Sequence, residues 1–164
     1  MNNNSPLQSA NNAALRLLSY RPRAVNELRT RLLLKRFSAS IVDEVVELLT
    51  IEGLLDDGSF ARVWLGSRQR LSPRSASLIK RELSAKGVSR ETIDDALVNI
   101  SDDENAYRAG LKYSRRLGQA DFVNFRRKLW AYLQRRGFSS AISRRTVARL
   151  WQEEEAIRPP QPER

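Results

Sequence analysis

The sequence predicts an all-α protein built from three tandem three-helix repeats in an elongated, curved array. One pattern of apolar and basic positions recurs at offsets of 51 and 50 residues: Leu28-x3-Leu32-x2-Lys35-Arg36-Phe37, Ile79-x3-Leu83-x2-Lys86-Gly87-Val88 and Leu129-x3-Leu133-x2-Arg136-Gly137-Phe138. A fixed period of this size is typical of repeat proteins. Strand signals are nearly absent, because no Asn-Gly or Asp-Gly turn lies between alternating β-branched runs.

Repeat 1 is predicted to span residues 13–56. Its first helix ends before Pro22, since the residue preceding a proline disfavours the α-helical conformation. The apolar stripe of its second helix consists of Leu28, Leu32 and Leu33. Either Ser38 or Ser40 can then supply the N-cap of the third helix.

Repeat 2, residues 57–101, begins with a helix that Asp57 can cap and whose apolar side includes Phe60 and Trp64. Pro73 ends that helix, as Pro22 does 51 residues earlier. Gly87 is expected to end the second helix in a left-handed conformation, with Ser89 as the N-cap of the third.

Repeat 3, residues 102–152, places Gly137 and Ser139 at the equivalent turn, and its first helix is predicted over residues 103–116.

Two tails complete the prediction. Residues 1–12 are rich in Asn, Gln and Ser and are expected to be disordered. Residues 153–164 form an acidic, proline-rich tail.

Composition excludes several classes of site. The chain contains no Cys and no His, so thiol nucleophiles, disulfides, imidazole bases and Cys/His zinc sites are ruled out. No apolar run approaches the roughly 20 residues of a membrane span. We therefore expect a non-enzymatic, soluble protein of the cytoplasm, with no cofactor and no membrane association.

Two adjacent carboxylates, Asp56 and Asp57, form the densest polar signal. They could hold a divalent metal, but Mg²⁺ generally needs further oxygen ligands, and no second pair lies nearby in the sequence. A helix cap that joins repeat 1 to repeat 2 is the preferred interpretation, and no metal site is predicted.

Positive charge increases along the chain. The net charge of +10 is distributed as 0 over residues 1–57, +4 over residues 58–101 and +6 over residues 102–164. Within residues 108–149, 12 basic side chains accompany the single acid Asp121. Such a concentration indicates a polyanionic partner, either nucleic acid or an acidic protein surface.

The basic side chains occupy related positions in repeats 2 and 3. Arg74 and Arg81 are seven residues apart, as are Lys128 and Arg135, so each pair lies near one helix face. A basic face repeated in successive modules can follow a phosphate backbone. The predicted residues of this polyanion-binding face are Arg68, Arg70, Arg74, Lys80, Arg81, Lys86, Arg126, Arg127, Lys128, Arg135 and Arg136.

Two simpler interpretations compete with this surface. An arginine-rich helical exterior can serve only to keep a protein soluble. Trp130 and Tyr132, which lie among the charges, could stack on unpaired bases, but packing against neighbouring helices is the commoner role of such residues.

One stretch resembles a known family. The string Glu52-Gly53-Leu54-Leu55-Asp56-Asp57-x2-Phe60-Ala61-x2-Trp64-x2-Ser67-Arg68, followed by Ser72-Pro73-x5-Ile79-x2-Glu82-Leu83-x2-Lys86-Gly87-Val88, is similar to the signature of the RecX family of bacterial recombination regulators. The resemblance extends over roughly residues 13–151. One departure is Leu71-Ser72-Pro73, where family members often have a glycine before the proline.

The resemblance implies a small cytoplasmic regulator that binds the RecA recombinase filament in its helical groove, and we expect the protein to be a monomer. The resemblance further implies inhibition of the filament's ATPase, strand-exchange and extension activities, together with weak, nonspecific binding to single- and double-stranded DNA. Two alternatives stay open beside it. One is a nucleic-acid-binding module that acts without RecA, and the other is a metal-dependent enzyme that uses Asp56 and Asp57.

Overall fold

The computed structural model describes residues 5–118 and 120–157, and these residues form nine α-helices and no strand. The helices are α1 (Pro6–Tyr20), α2 (Val25–Leu34), α3 (Ala39–Ile51), α4 (Asp57–Leu71), α5 (Ala76–Ala85), α6 (Arg90–Leu97), α7 (Asp102–Ser114), α8 (Phe122–Arg135) and α9 (Ser140–Ile157). The prediction of an all-α chain with three helices in each repeat is confirmed.

The described chain divides into two compact units. Unit 1 contains the described residues through Gly66 together with Lys80–Val98. Unit 2 contains Ser67–Ile79 together with the described residues from Asn99 onward. Repeat 2 therefore contributes to both units, since α4 and α5 each pass from one unit into the other.

The core of unit 1 lies between α1, α2 and α3. Its fully buried side chains include Leu28, Leu32 and Leu49, each with no exposed surface. Leu33, predicted to share their stripe, is 44% exposed instead. The reason is the helical repeat: Leu32 already faces the core, and the next residue is turned by about 100° around the axis.

The core of unit 2 lies between α7, α8 and α9. Phe125, Leu129 and Leu133 of α8 bury one stripe at spacings of four residues, against Val147 and Leu150 of α9. The same spacing leaves the opposite side of α8 to charged residues, and this places the basic side chains of repeat 3 at the surface.

Serine caps start the third helix of each repeat, as predicted. Ser38 Oγ accepts from the Ile41 amide at 3.5 Å, and Ser89 Oγ accepts from the Thr92 amide at 3.2 Å. In repeat 3, Ser139 Oγ accepts from the Ile142 amide at 3.3 Å. The cap in repeat 1 is thus Ser38, and Ser40 already belongs to α3.

The turns before these caps have left-handed residues. Gly87 and Gly137 have φ values of +82° and +85°, so the predicted glycine conformations are confirmed. Arg36 occupies the equivalent place in repeat 1 with φ 68°.

The predicted N-terminal tail requires correction. α1 begins at Pro6 and includes most of the segment expected to be disordered, because Ser5 Oγ caps the Gln8 amide and Ala10 is fully buried. α9 continues through Glu153 to Ile157, where Glu153 pairs with Arg149 one turn earlier. Residues 1–4 and 158–164 of those tails lie outside the described residues.

The two adjacent aspartates divide between two helices. Asp56, and not Asp57, caps α4: its carboxylate accepts from the amides of Gly58 at 3.0 Å and Ser59 at 2.9 Å. Asp57 is the first residue of α4, and its Oδ1 accepts from the Val25 amide at 2.8 Å. It therefore caps the start of α2, which lies 32 residues earlier in the sequence.

The same connection recurs one repeat later. Asp102, the first residue of α7, accepts from the amide of Ala76, the first residue of α5, at 2.7 Å. Ser101, and not either of the adjacent aspartates, caps α7 itself. In both cases the first helix of one repeat supplies the cap for the second helix of the preceding repeat.

Candidate functional site

The exposed side of α8 carries the densest group of predicted binding residues. Arg126, Arg127, Lys128 and Arg135 are all exposed. Asp121 caps this helix through the Asn124 amide at 3.0 Å, which fixes where its first turn starts. Hydrogen bonds from the backbone amide and the side chain of Asn124 hold the pKa of Asp121 below its ordinary value.

Two of these cations are oriented by neighbours, whereas two others have no partner among the described residues. The Arg126 guanidinium lies 5.8 Å from the centre of the Phe122 ring, and Arg127 donates to Asn124 Oδ1 at 2.9 Å. Within the described part of the chain, Lys128 and Arg135 make no hydrogen bond or ion pair. Their seven-residue spacing places both on one side of α8, where they can reach an external anion.

Arg136 is engaged in contacts within unit 2. Its Nη1 donates to Ser72 Oγ, its guanidinium stacks 4.6 Å above the Tyr132 ring, and its carbonyl accepts from the Ser75 amide at 3.0 Å. Tyr132 itself stacks on Tyr113 at 4.1 Å between ring centres. This pair of aromatic rings belongs to the packing of unit 2, so Tyr132 is engaged within the fold.

The predicted basic residues of repeat 2 are distributed over both units. Arg68, Arg70 and Arg74 belong to unit 2, and Lys80, Arg81 and Lys86 belong to unit 1. Arg70 and Arg81 are exposed, whereas the other four are half-buried. A continuous basic track through repeats 2 and 3 stays a prediction.

Two lysines of repeat 2 are engaged by partners within unit 1. Lys80 forms an ion pair with Asp94, and the hydrogen bond from that lysine lowers the pKa of Asp94 below its ordinary value. Lys86 Nζ lies 4.5 Å from the centre of the Trp64 ring. Trp64 in turn donates to Glu82 Oε2 at 2.8 Å, and its ring lies 5.8 Å from that of Phe60. The contacts of Trp64 with Glu82 and Lys86 join α4 to the C-terminal part of α5.

A cleft of about 720 Å³ lies beside α8 and brings in a residue that the sequence prediction omitted. Arg144 of α9 lines it together with Arg126, Arg127 and Trp130. We call it the α8–α9 cleft. Arg144 was recognisable in principle, because it precedes the buried Val147 by three residues and so lies near the same side of α9.

The paired aspartates both act as helix caps. In the described ranges, no cluster of three or more carboxylates, histidines or cysteines could hold an ion. Hydrogen bonds from the Ser59 side chain and from the Ser59 and Gly58 amides lower the pKa of Asp56. Burial raises the pKa of Asp57 despite the hydrogen bond from Val25. The first shift follows from the capping role of Asp56, whereas the second follows from the partial burial of Asp57, which outweighs its capping hydrogen bond.

Among the residues that the structure describes, no helix is both long enough and apolar enough to cross a membrane.

Comparison with known proteins identifies all three repeats. Family models for the first, second and third three-helix domains of RecX match residues 10–49, 56–97 and 101–147. The chain is 34% identical to the regulatory protein RecX of Chlorobium limicola over 139 residues, which cover 85% of this chain and 87% of that protein. It is 35% identical to the protein of the same name from Chlorobium phaeobacteroides over 138 residues, covering 84% and 91% of the two chains.

A solved structure agrees with the fold. The crystal structure of RecX from Lactobacillus salivarius superposes with a TM-score of 0.73 at 25% identity, covering 93% of this chain and 98% of that one. The similarity therefore includes the order of the helices as well as the residues of the three repeats.

Proposed function

The chain belongs to the RecX family of regulatory proteins, and on this premise we propose that it binds the RecA nucleoprotein filament and inhibits its ATPase, strand-exchange and extension activities. It acts in the cytoplasm as a monomer and without catalysis of its own. The observation that carries the proposal is the match of all three repeats to RecX domains, in a chain whose surplus charge lies in the later repeats.

The exposed side of α8 is the principal contact in this proposal. It presents Lys128 and Arg135 without partners in the described structure, beside Arg126 and Arg127, which neighbours orient. A nucleoprotein filament offers both phosphates and acidic side chains, and arginine pairs with either through two parallel hydrogen bonds. Repeat 1, with no net charge over residues 1–57, has mainly a structural or protein-facing role.

Titration of the protein into a RecA ATPase assay on single-stranded DNA tests the proposal. Hydrolysis should fall as the protein is added, and unchanged hydrolysis at several-fold molar excess would count decisively against the proposed function.

Charge reversal locates the contact. The triple variant Arg126→Glu, Arg127→Glu, Lys128→Glu should weaken inhibition more than the matched triple Arg31→Glu, Lys35→Glu, Arg36→Glu in repeat 1. All six residues are exposed, so neither variant should disturb a core. Arg29 is a poorer control because it forms an ion pair with Asp43. Equal effects of the two triples would remove α8 from the proposed contact.

A second candidate is a sequence-nonspecific nucleic-acid-binding module that acts without RecA. Arg81, Lys128 and Arg135, which make no hydrogen bond or ion pair to the residues that the structure describes, favour it, since they can neutralise phosphates. If about four phosphates of a single strand are neutralised, the log–log dependence of affinity on salt should have a slope near −3, from roughly −0.7 per contact. Salt-independent binding, or none at low salt, would eliminate this candidate.

A further inference from the structure

The α8–α9 cleft combines an apolar interior with a basic rim. The apolar lining consists of Phe122, Val123, Trp130, Ala131, Val147 and Ala148. Phe122 and Val123 are 42% and 64% exposed, so two large apolar side chains are left in contact with water on one side of the cleft. Apolar surface of this kind, bordered by charge, marks an interaction site more often than an inert surface.

The charged lining has a single sign. Arg126, Arg127 and Arg144 line the cleft, and among the described residues no acidic side chain does. Arg126 is held against the Phe122 ring and Arg127 against Asn124, so both guanidinium groups are directed before any partner arrives. Preorganised cations beside an apolar surface favour a ligand that has both carboxylates and apolar groups.

Nucleic acid fits this cleft poorly. A phosphate backbone would pair with the arginines but would leave Phe122 and Val123 uncovered. A base could stack on Trp130, yet its polar edges would then face Val123, Ala131 and Ala148, whose side chains have no hydrogen-bonding groups. A buried polar group without a partner costs binding free energy.

We propose that the α8–α9 cleft is a docking site for an acidic amphipathic helix of the recombinase filament, which places apolar side chains between α8 and α9 and carboxylates against the three arginines. Such a helix presents apolar residues at positions i, i+3 or i+4, and i+7, the pattern by which helices bind grooves. This inference rests on the proposed function and assigns its main contact to filament protein, not to filament DNA.

Adding positive charge to the apolar wall of the cleft distinguishes a nucleic-acid partner from an acidic amphipathic helix. Val123→Arg removes an exposed apolar side chain and increases the basic charge by one. A phosphate-binding surface would keep or gain affinity, whereas a groove for an acidic amphipathic helix would lose apolar contact. Ala148→Arg makes the same change on the α9 wall and serves as an independent second variant. Val63→Arg on α4 is the matched control, since this valine is also helical and is 55% exposed.

The first measurement is inhibition of the RecA ATPase on single-stranded DNA. For Val123→Arg and Ala148→Arg, the concentration that gives half-maximal inhibition should rise about tenfold, a typical effect of losing one central contact. Val63→Arg should change it less than about twofold, as expected outside the contact. Circular dichroism and thermal unfolding verify that each variant is folded.

The second measurement is binding of each variant to a fluorescently labelled oligothymidylate without RecA. Unchanged or tighter binding to this probe, together with weaker inhibition, supports the cleft as a protein-docking site. Unchanged inhibition by both cleft variants overturns it and leaves the proposed function standing. Parallel loss in both assays also overturns it, because the cleft would then hold nucleotides. If the wild-type protein itself fails to inhibit RecA, the proposed function falls, and this inference falls with it.

Discussion

Gly87 lies against Asn26 so closely that a Cβ atom at position 87 would stand 2.5 Å from the Asn26 Cβ. Gly137 repeats the arrangement one module later, where a Cβ atom would lie 2.5 Å from Ser75 Oγ. The turn of each later repeat thus meets the start of the second helix in the repeat before it. Glycine is required there both by the left-handed φ and by this close approach.

Replacing Gly87 by alanine should destabilise the protein by about 2 kcal/mol or more, because backbone strain and steric overlap act together. Urea unfolding followed by circular dichroism measures the change. Gly66→Ala is the control: a Cβ atom there meets nothing within 4 Å, and the residue lies inside α4, so stability should rise by about 0.5–1 kcal/mol. Equal losses at both positions would show that the approach to Asn26 is unimportant.

Replacing Arg36 by glycine should stabilise the protein. Arg36 is exposed and has φ 68°, a conformation that costs a non-glycine residue about 1 kcal/mol. Arg36→Gly should therefore raise the free energy of unfolding by roughly that amount, with an unchanged dependence on denaturant. Arg31→Gly, within α2, should lower it by about 1 kcal/mol. A loss for Arg36→Gly would mean that its side chain supports the turn.

Asparagine at position 57 should preserve the stability of the protein, whereas alanine should not. Asp57→Ala removes the cap on the Val25 amide and should cost about 1 kcal/mol, whereas Asp57→Asn keeps an acceptor oxygen. Chemical denaturation at neutral pH distinguishes the two. Asp102→Ala, which uncaps Ala76, should resemble Asp57→Ala. If Asp57→Asn is as damaging as Asp57→Ala, the hydrogen bond is not the source of the effect.

The pH dependence of Asp57→Asn has a definite sign. Burial raises the pKa of Asp57 above its ordinary value of 3.8, so the folded state holds this proton more tightly than the unfolded chain does. The free energy of unfolding of the protein with Asp57 therefore falls as the pH rises through the raised pKa of this residue. Asp57→Asn should be the more stable protein at pH 7, and its advantage should shrink on acidification and vanish below 3.8. An advantage that grows at low pH would contradict this assignment.

The predicted basic residues should separate into two groups by experiment. Lys86→Ala and Arg136→Ala should lower stability by about 1 kcal/mol, since one cation lies over Trp64 and the other over Tyr132. Lys128→Ala and Arg135→Ala should change stability by less than about 0.5 kcal/mol and weaken inhibition instead. Thermal unfolding and the RecA ATPase titration are measured for all four variants. Loss of stability at Lys128 would show that it has a role in the fold.

Much of the helical framework could be predicted because its signals are local. A serine cap bonds an amide three residues later, as Ser38, Ser89 and Ser139 do, and left-handed glycines precede the last two of these caps. The N-terminal tail was predicted less well. Polar composition suggested disorder before residue 13, but Ala10 is buried in the core of unit 1, and a small apolar residue gives little sign of this in the sequence.

The sequence by itself determined the helical class, the three repeats, the turn glycines and the increase of positive charge toward repeat 3. Tertiary structure alone decided which of two adjacent aspartates caps its own helix and which caps a helix 32 residues away. It also decided that Arg136 faces inward while Arg135 faces outward, and that Arg144 joins Arg126 at an apolar cleft. The physical reason is distance along the chain: caps and helical stripes join residues a few positions apart, whereas burial, pairing and clefts depend on helices that meet only after folding.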